Sequence, residues 1–181
     1  MPATDTFFCI GVSYKKADAV LRGRFSITSK AIPFLLEDVK NKGISSLVLS
    51  STCNRTELYA QAPNHQMLVE LLCQHSEGTT EDFKKAGNTY EGADAISHLF
   101  RVGTGLDSQI LGDFEIISQL KKSFKISKKV DLLSPYMERM FNAVLNASKR
   151  IKTETELSSG ATSVSYVSVR YMPVSYTHLR A

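Results

Sequence analysis

The hydrophobic period changes part-way along the chain, and that change limits the fold more than any other feature. Up to about residue 100, short apolar runs alternate with segments of helical period; beyond residue 113 the pattern is helical. Residues 7–14 (FFCIGVSY) predict a strand. Ile32, Leu35, Leu36 and Val39 recur at helical spacing, with Ser29 the expected cap and Gly43 the stop. Pro33 is admissible there because it falls in the first turn. Residues 46–49 (SLVL) predict a buried strand and residues 57–61 (ELYAQ) another. Met67, Leu68, Leu71 and Leu72 mark a second helix, and residues 78–87 a polar surface connection. Residues 88–91 predict a short last strand, and Ile96, Leu99 and Phe100 a following helix.

That order is βαββαβ, so the expected fold class is α+β: a ferredoxin-like sandwich followed by a helical subdomain. In the helical part Ile116, Ile117, Leu120 and Phe124 line one face. Ser134 and Pro135 form a helix start, a capping hydroxyl followed by proline at the first helical position. Met137, Met140, Phe141, Val144, Leu145 and Ile151 continue at helical spacing and read as core. Another helix is expected from Ser163. Residues 172–181 (MPVSYTHLRA) lose the period, contain a proline, and are expected to be a truncated or non-native tail.

Composition narrows the class. With 22 basic and 18 acidic residues the formal charge is +4, far from the strongly basic footprint of a dedicated nucleic-acid binder. No apolar run approaches the roughly 20 residues a membrane-spanning helix needs, and residues 1–6 carry no secretory signal pattern. The three cysteines, Cys9, Cys53 and Cys73, are widely spaced and form no CxxC pair, which argues against a disulfide framework or a zinc site. A reduced, cytoplasmic setting is expected.

The chemistry concentrates in residues 50–57, SSTCNRTE, where a strand delivers Cys53 into a polar loop two residues before Arg55. A thiolate is a strong nucleophile, and a nearby cation favours its formation. Arg55 could supply that field or grip a substrate carboxylate, while Thr52 and Asn54 could hydrogen-bond a polar substrate. The plainer alternative is a small residue at a strand end beside a surface charge. Cys9, in an apolar strand, and Cys73, on a helix, read as packing residues.

A second cluster spans residues 98–119, HLFRVGTGLDSQILGDFEIISQ. The helix carrying His98 should end near Gly103, with a glycine-punctuated loop after it. The GTG there is no dinucleotide fingerprint, because it follows a helix and lacks the GxGxxG spacing. Asp113 and Glu115 would open the next helix, where the dipole favours carboxylates. Ser108 is either a ligand donor or a solvated loop residue. His98 is either structural or, if it faces Cys53, a proton-transfer group.

Taken together, SSTCNRTELYA and HLFRVGTGLDSQILGD resemble the signature blocks of the glutamyl-tRNA reductase family. The opening GVSYKKA and the GATSVSY segment at 160–166 agree, so the resemblance covers about residues 7–170. It implies an NADPH-dependent reduction of glutamyl-tRNA(Glu) to glutamate-1-semialdehyde through a cysteine thioester, the first step of five-carbon tetrapyrrole synthesis. It makes Cys53 the nucleophile and His98 a residue important for activity. It also assigns substrate contacts to Thr52, Asn54, Arg55, Ser108, Asp113, Phe114, Glu115 and Gln119. Many members carry Glu-Pro-Gln where this chain has Asp113-Phe114-Glu115, which exchanges an amide for a carboxylate at Glu115.

The resemblance further implies a catalytic domain over residues 1–160 and the start of a long spinal helix over 161–171. The NADPH-binding domain would lie beyond, so these residues alone are expected to be acylated but not to complete the reduction. A homodimer and an aminomutase that accepts the aldehyde are the implied protein partners. Lys121, Lys122, Lys125, Lys128 and Lys129 either meet tRNA phosphates or form a solvated face. The alternative from another class is an RNA-binding module without catalysis, built on the same strand order but lacking its base-stacking aromatics.

Overall fold

The computed structural model describes residues 6–113 and 115–155. Four strands, β1 (Thr6–Ser13), β2 (Ser46–Ser51), β3 (Arg55–Ala62) and β4 (Gly87–Glu91), form one sheet in the order β2-β3-β1-β4. Every neighbouring pair is antiparallel. The helices are α1 (Ala19–Arg24), α2 (Ile32–Asn41), α3 (His65–Gln74), α4 (Thr80–Ala86), α5 (Gly92–Gly103), α6 (Glu115–Lys129) and α7 (Pro135–Glu154).

Strand alternation sorts the side chains between two cores. Phe8, Ile10, Val12, Leu47, Leu49, Leu58 and Ala60 point to one face, where Leu35, Val39, Leu68, Leu71 and Leu72 of α2 and α3 cover them. Phe7, Cys9, Val48 and Tyr59 point to the other, under Leu99, Val102, Leu120, Phe124, Met137, Phe141 and Val144 of α5, α6 and α7. The helical part expected as a following subdomain therefore does not stand apart: α6 and α7 roof the second face of the same sheet. Their apolar stripes are too long to remain in water and find a sheet face that α2 and α3 leave open.

Two helices escaped the sequence pattern. The first, α1, has six residues, too few to show a period, and is started by Asp18, whose carboxylate accepts the Leu21 N–H at 2.8 Å. The second, α4, runs through the stretch expected as a surface connection, held by a capping box between Thr79 and Asp82. Ser29 does not cap α2; the helix begins after Ala31 without a side-chain cap. Ser134 does cap α7, accepting the Met137 N–H at 3.2 Å. The expected tail and spinal-helix start, 161–181, and Phe114 lie outside the described residues.

Gly11 of β1 leaves room for a buried side chain of the neighbouring strand. A Cβ there would sit 2.2 Å from the Thr56 carbonyl oxygen and 2.7 Å from Cγ of Glu57. Gly11→Ala should therefore lower stability by about 1–3 kcal/mol through overpacking. Gly23→Ala, where nothing lies within 4 Å, should be neutral or raise it by about 0.5–1 kcal/mol through helix propensity. Urea midpoints of the two variants check the contrast, and equal shifts would contradict it.

Candidate active site

Residues 52–54 are the turn of the β2–β3 hairpin, so the pattern strand–TCN–strand presents Cys53 at a tip. Thr52 shapes that tip: its hydroxyl oxygen accepts the backbone N–H groups of Asn54 and Arg55, each at 3.2 Å. Its own N–H donates to the Arg55 carbonyl at 2.8 Å. Two outside groups brace the loop. The Tyr14 N–H donates to the Asn54 carbonyl at 2.9 Å. Arg22 of α1 donates from Nε to the Cys53 carbonyl at 3.1 Å and from Nη1 to the Ala17 carbonyl at 2.7 Å. Cys53 is exposed, whereas Cys9 is buried and Cys73 half-buried.

Beside the tip lies a cleft of about 170 Å³. Thr52, Cys53, Asn54, Arg55, Ser108, Asp113, Glu115 and Gln119, all expected from the sequence, meet there, joined by Tyr14, Gln109 and Ile116. The loop after α5 reaches the hairpin because it folds back on itself. Gly105 and Gly112 adopt positive φ of 76° and 80°, and the Gly112 N–H donates to the Gly105 carbonyl at 3.1 Å. Asp113 Oδ1 accepts the Glu115 N–H at 2.9 Å, which starts α6 at the cleft's edge.

Behind the cleft is a polar cluster. Arg55, Glu57 and Tyr59 alternate along β3 and so project to the same face. Arg55 is only 2% exposed. Its Nη1 donates to Glu57 Oε1 at 3.2 Å, and its Nη2 to Asp107 Oδ1 at 3.0 Å and to the Asp107 carbonyl. Lys15 pairs with the other oxygen of Asp107. Glu57 also accepts from Tyr59 Oη at 2.5 Å and from His98 Nε2 at 2.9 Å. His98 thus sits behind the cleft and does not line it. Its ring stacks on Tyr90 at 4.3 Å, and its Nδ1 has no hydrogen-bond partner.

Burial opposes ionisation of Glu57. The His98 hydrogen bond, the Arg55 charge and the Tyr59 hydroxyl nonetheless hold its carboxyl below the ordinary value. Asp107 is likewise lowered: burial works against it, but its bonds to Lys15 and Arg55 prevail. Burial raises the Cys9 thiol well above its usual range. Cys9, Glu57 and His98 bring potential ligand atoms within 4.8 Å of one another. Glu57, however, is committed to Arg55, Tyr59 and His98, so its carboxylate reads as part of the hydrogen-bonded network.

The network has a pH signature. Glu57 and Asp107 have lowered pKa values in the folded chain, so unfolding in acid takes up protons. Their stabilisation is complete above the unfolded value near about 4 and is lost as pH falls through the folded values. Glu57→Gln should cost on the order of 3 kcal/mol at pH 7, since it breaks a buried pair, and should flatten the loss of stability below about pH 5. Denaturant titrations at several pH values check both; an unchanged acid limb would contradict the assignment.

The family model described as "Glutamyl-tRNAGlu reductase, N-terminal domain" matches residues 10–155. The glutamyl-tRNA reductase of Flavobacterium psychrophilum is 57% identical over 172 residues, covering 95% of this chain and 42% of the relative. That of Christiangramia forsetii is 57% identical over 166 residues, covering 92% and 40%. Among solved structures, glutamyl-tRNA reductase from Methanopyrus kandleri matches with a TM-score of 0.75 at 27% identity, covering 91% of this chain and 39% of that one. The chain spans about two-fifths of the length of these relatives. A family model matched across most of the sequence, and two signature blocks folded against each other around one exposed thiol, place this chain in the glutamyl-tRNA reductase family, within its N-terminal domain.

Proposed function

We propose that this chain performs the acyl-transfer half of a glutamyl-tRNA reductase, with Cys53 as nucleophile. The observation that carries it is the exposed Cys53 thiol at the tip of a braced hairpin, opening on a polar cleft. The Cys53 sulfur attacks the ester carbonyl of glutamyl-tRNA. A sulfur–carbon bond forms, the ester carbon–oxygen bond breaks, and the thiol proton ends on the departing ribose hydroxyl. Glutamate remains as a thioester. Asp113 and Glu115 offer carboxylates to the ammonium group of the substrate, and Ser108, Asn54 and Gln119 offer hydrogen bonds.

Of the two roles the sequence leaves open for Arg55, its contacts favour the field of its charge over the carboxylate grip that the resemblance assigns. Both terminal nitrogens are engaged by Glu57 and Asp107, so it serves the site through its charge and by tying the hairpin to the 104–113 loop. His98 acts through Glu57 and not directly on the thiol.

The reductive half, for which the family reading invokes NADPH, is assigned to the longer protein, since the described residues do not form a doubly wound dinucleotide fold. The sheet is antiparallel, and the glycine loop follows a helix, whereas a dinucleotide fold needs a parallel strand, glycine turn and helix. Reduction to glutamate-1-semialdehyde, a homodimer and an aminomutase partner belong to the proposal for the longer protein, with residues 1–160 as its catalytic domain in a cytoplasmic setting. No described helix is long and apolar enough to cross a membrane. The strand order and the α2 and α3 layer support reading the sandwich as ferredoxin-like. The non-catalytic RNA-module alternative is disfavoured because helices cover both sheet faces and Tyr59 is fully buried, leaving no stacking platform.

Transfer of radiolabelled glutamate from glutamyl-tRNA to the protein tests the proposal, run beside Cys53→Ser. Hydroxylamine-labile label on the wild type, reduced at least about 100-fold in the variant, is expected. Equal labelling of a folded Cys53→Ser protein would refute the assignment.

A further inference from the structure

Three residues that line the Cys53 cleft have no part in the acyl-transfer reading: Tyr14, Gln109 and Ile116. Ile116 belongs to the core above the sheet, and Gln109 is exposed. Tyr14 differs from both, because it is built into the hairpin that carries the thiol. Ser13 and Arg55 form the last pair between β1 and β3, so Tyr14 leaves the sheet beside the turn. Its N–H donates to the Asn54 carbonyl at 2.9 Å, and the next residue, Lys15, is held by Asp107. Tyr14 is half-buried, and its hydroxyl has no hydrogen-bond partner among the described residues.

The turn also leaves one backbone donor open. The Thr52 N–H bonds the Arg55 carbonyl, and the N–H groups of Asn54 and Arg55 both bond the Thr52 hydroxyl oxygen. Among residues 52–55, only the Cys53 N–H finds no acceptor among the described residues. Addition of the Cys53 sulfur to an ester carbonyl gives that donor a use. The sulfur–carbon bond forms, the carbonyl π pair moves to oxygen, and the oxyanion comes within reach of the attacking residue's own N–H. Other help is scarce in this cleft. Asp113 and Glu115 repel a developing negative charge, and Arg55, the one cation lining it, has both terminal nitrogens engaged by Glu57 and Asp107.

We propose that Tyr14 is a catalytic residue whose hydroxyl, together with the Cys53 N–H, donates to the oxyanion of the tetrahedral intermediate. The inference rests on the acyl-transfer reading, with Cys53 as nucleophile. Collapse returns the electron pair to the carbonyl and breaks the ester carbon–oxygen bond. Both donors then face a thioester oxygen of smaller charge, so they stabilise the intermediate more than the product. The phenol keeps its proton throughout, and the thiol proton ends on the departing ribose oxygen.

The test compares wild type with Tyr14→Phe, which removes the hydroxyl and keeps the ring. Two acyl donors are used: glutamyl-tRNA, and the α-p-nitrophenyl ester of glutamate, which needs no tRNA contacts. Single-turnover acylation of Cys53 should slow about 100-fold in the variant with both donors. The donor concentration giving half the maximal rate should stay within about twofold. Alkylation by iodoacetamide, which attacks at a saturated carbon and builds no oxyanion, should proceed at the wild-type rate. Equal acylation rates in the two proteins would overturn the proposal. So would equal slowing of acylation and alkylation, which marks Tyr14 as a packing residue of the turn. Acylation of the wild type by neither donor, or acylation that persists in Cys53→Ser, removes the acyl-transfer reading and this inference with it.

Discussion

The tie between Arg55, Glu57 and Asp107 holds the site together. It joins the first residue of β3 to a loop 52 positions later, and a guanidinium shared by two carboxylates is geometrically exacting. Three ionised groups removed from water are costly unless every one is paired. Here the pairing is nearly complete: Tyr59 and Lys15 take the remaining carboxylate oxygens, and His98 shares Glu57 Oε1 with Arg55. Gly11 belongs to the same arrangement, because the Glu57 side chain lies across the space a Cβ would occupy. The network sets where Ser108 and Gln109 stand relative to Cys53, and so the shape of the cleft.

That organisation separates the three cysteines chemically. Cys9 shares the buried face with Glu57 and is kept as a thiol by burial first and by that carboxylate second. Cys73 is half-buried on α3, and its thiol too is raised by burial. Cys53 alone stands exposed, with its loop clamped by Thr52, Tyr14 and Arg22. A braced nucleophile loses little conformational freedom when it reacts, and this positioning is a substantial part of what a protein adds to an intrinsically reactive thiol. The short helix α1 matters for this reason: Arg22 links it to the Cys53 carbonyl.

Much of the fold was legible because it follows local periodicity. The four strands are visible as short runs between turns, most of them apolar, and the helices α2, α3, α5, α6 and α7 as runs of helical period. The misses have local causes as well: α1 is too short to display a period, and α4 buries only Phe83 and Ala86. Its capping box, Thr79 with Asp82, was the signal available. In the site, eight of the expected residues share the cleft, since they belong to two contiguous blocks. The pattern Arg55-x-Glu57-x-Tyr59 was also readable as one strand face. Its partners were not, because Asp107 and Lys15 come from distant loops.

The sequence by itself determined the order of the strands and of the longer helices, the placement of Cys53 at a strand end and the family resemblance. These depend on neighbours in the chain and on spacings of two to four residues. Only the tertiary structure decided that Arg55 is held by Glu57 and Asp107 and that His98 stands behind the cleft. Each of those facts is a distance between side chains far apart in sequence. Such distances arise from how α5, α6 and α7 close over the sheet, which no local pattern of residues specifies.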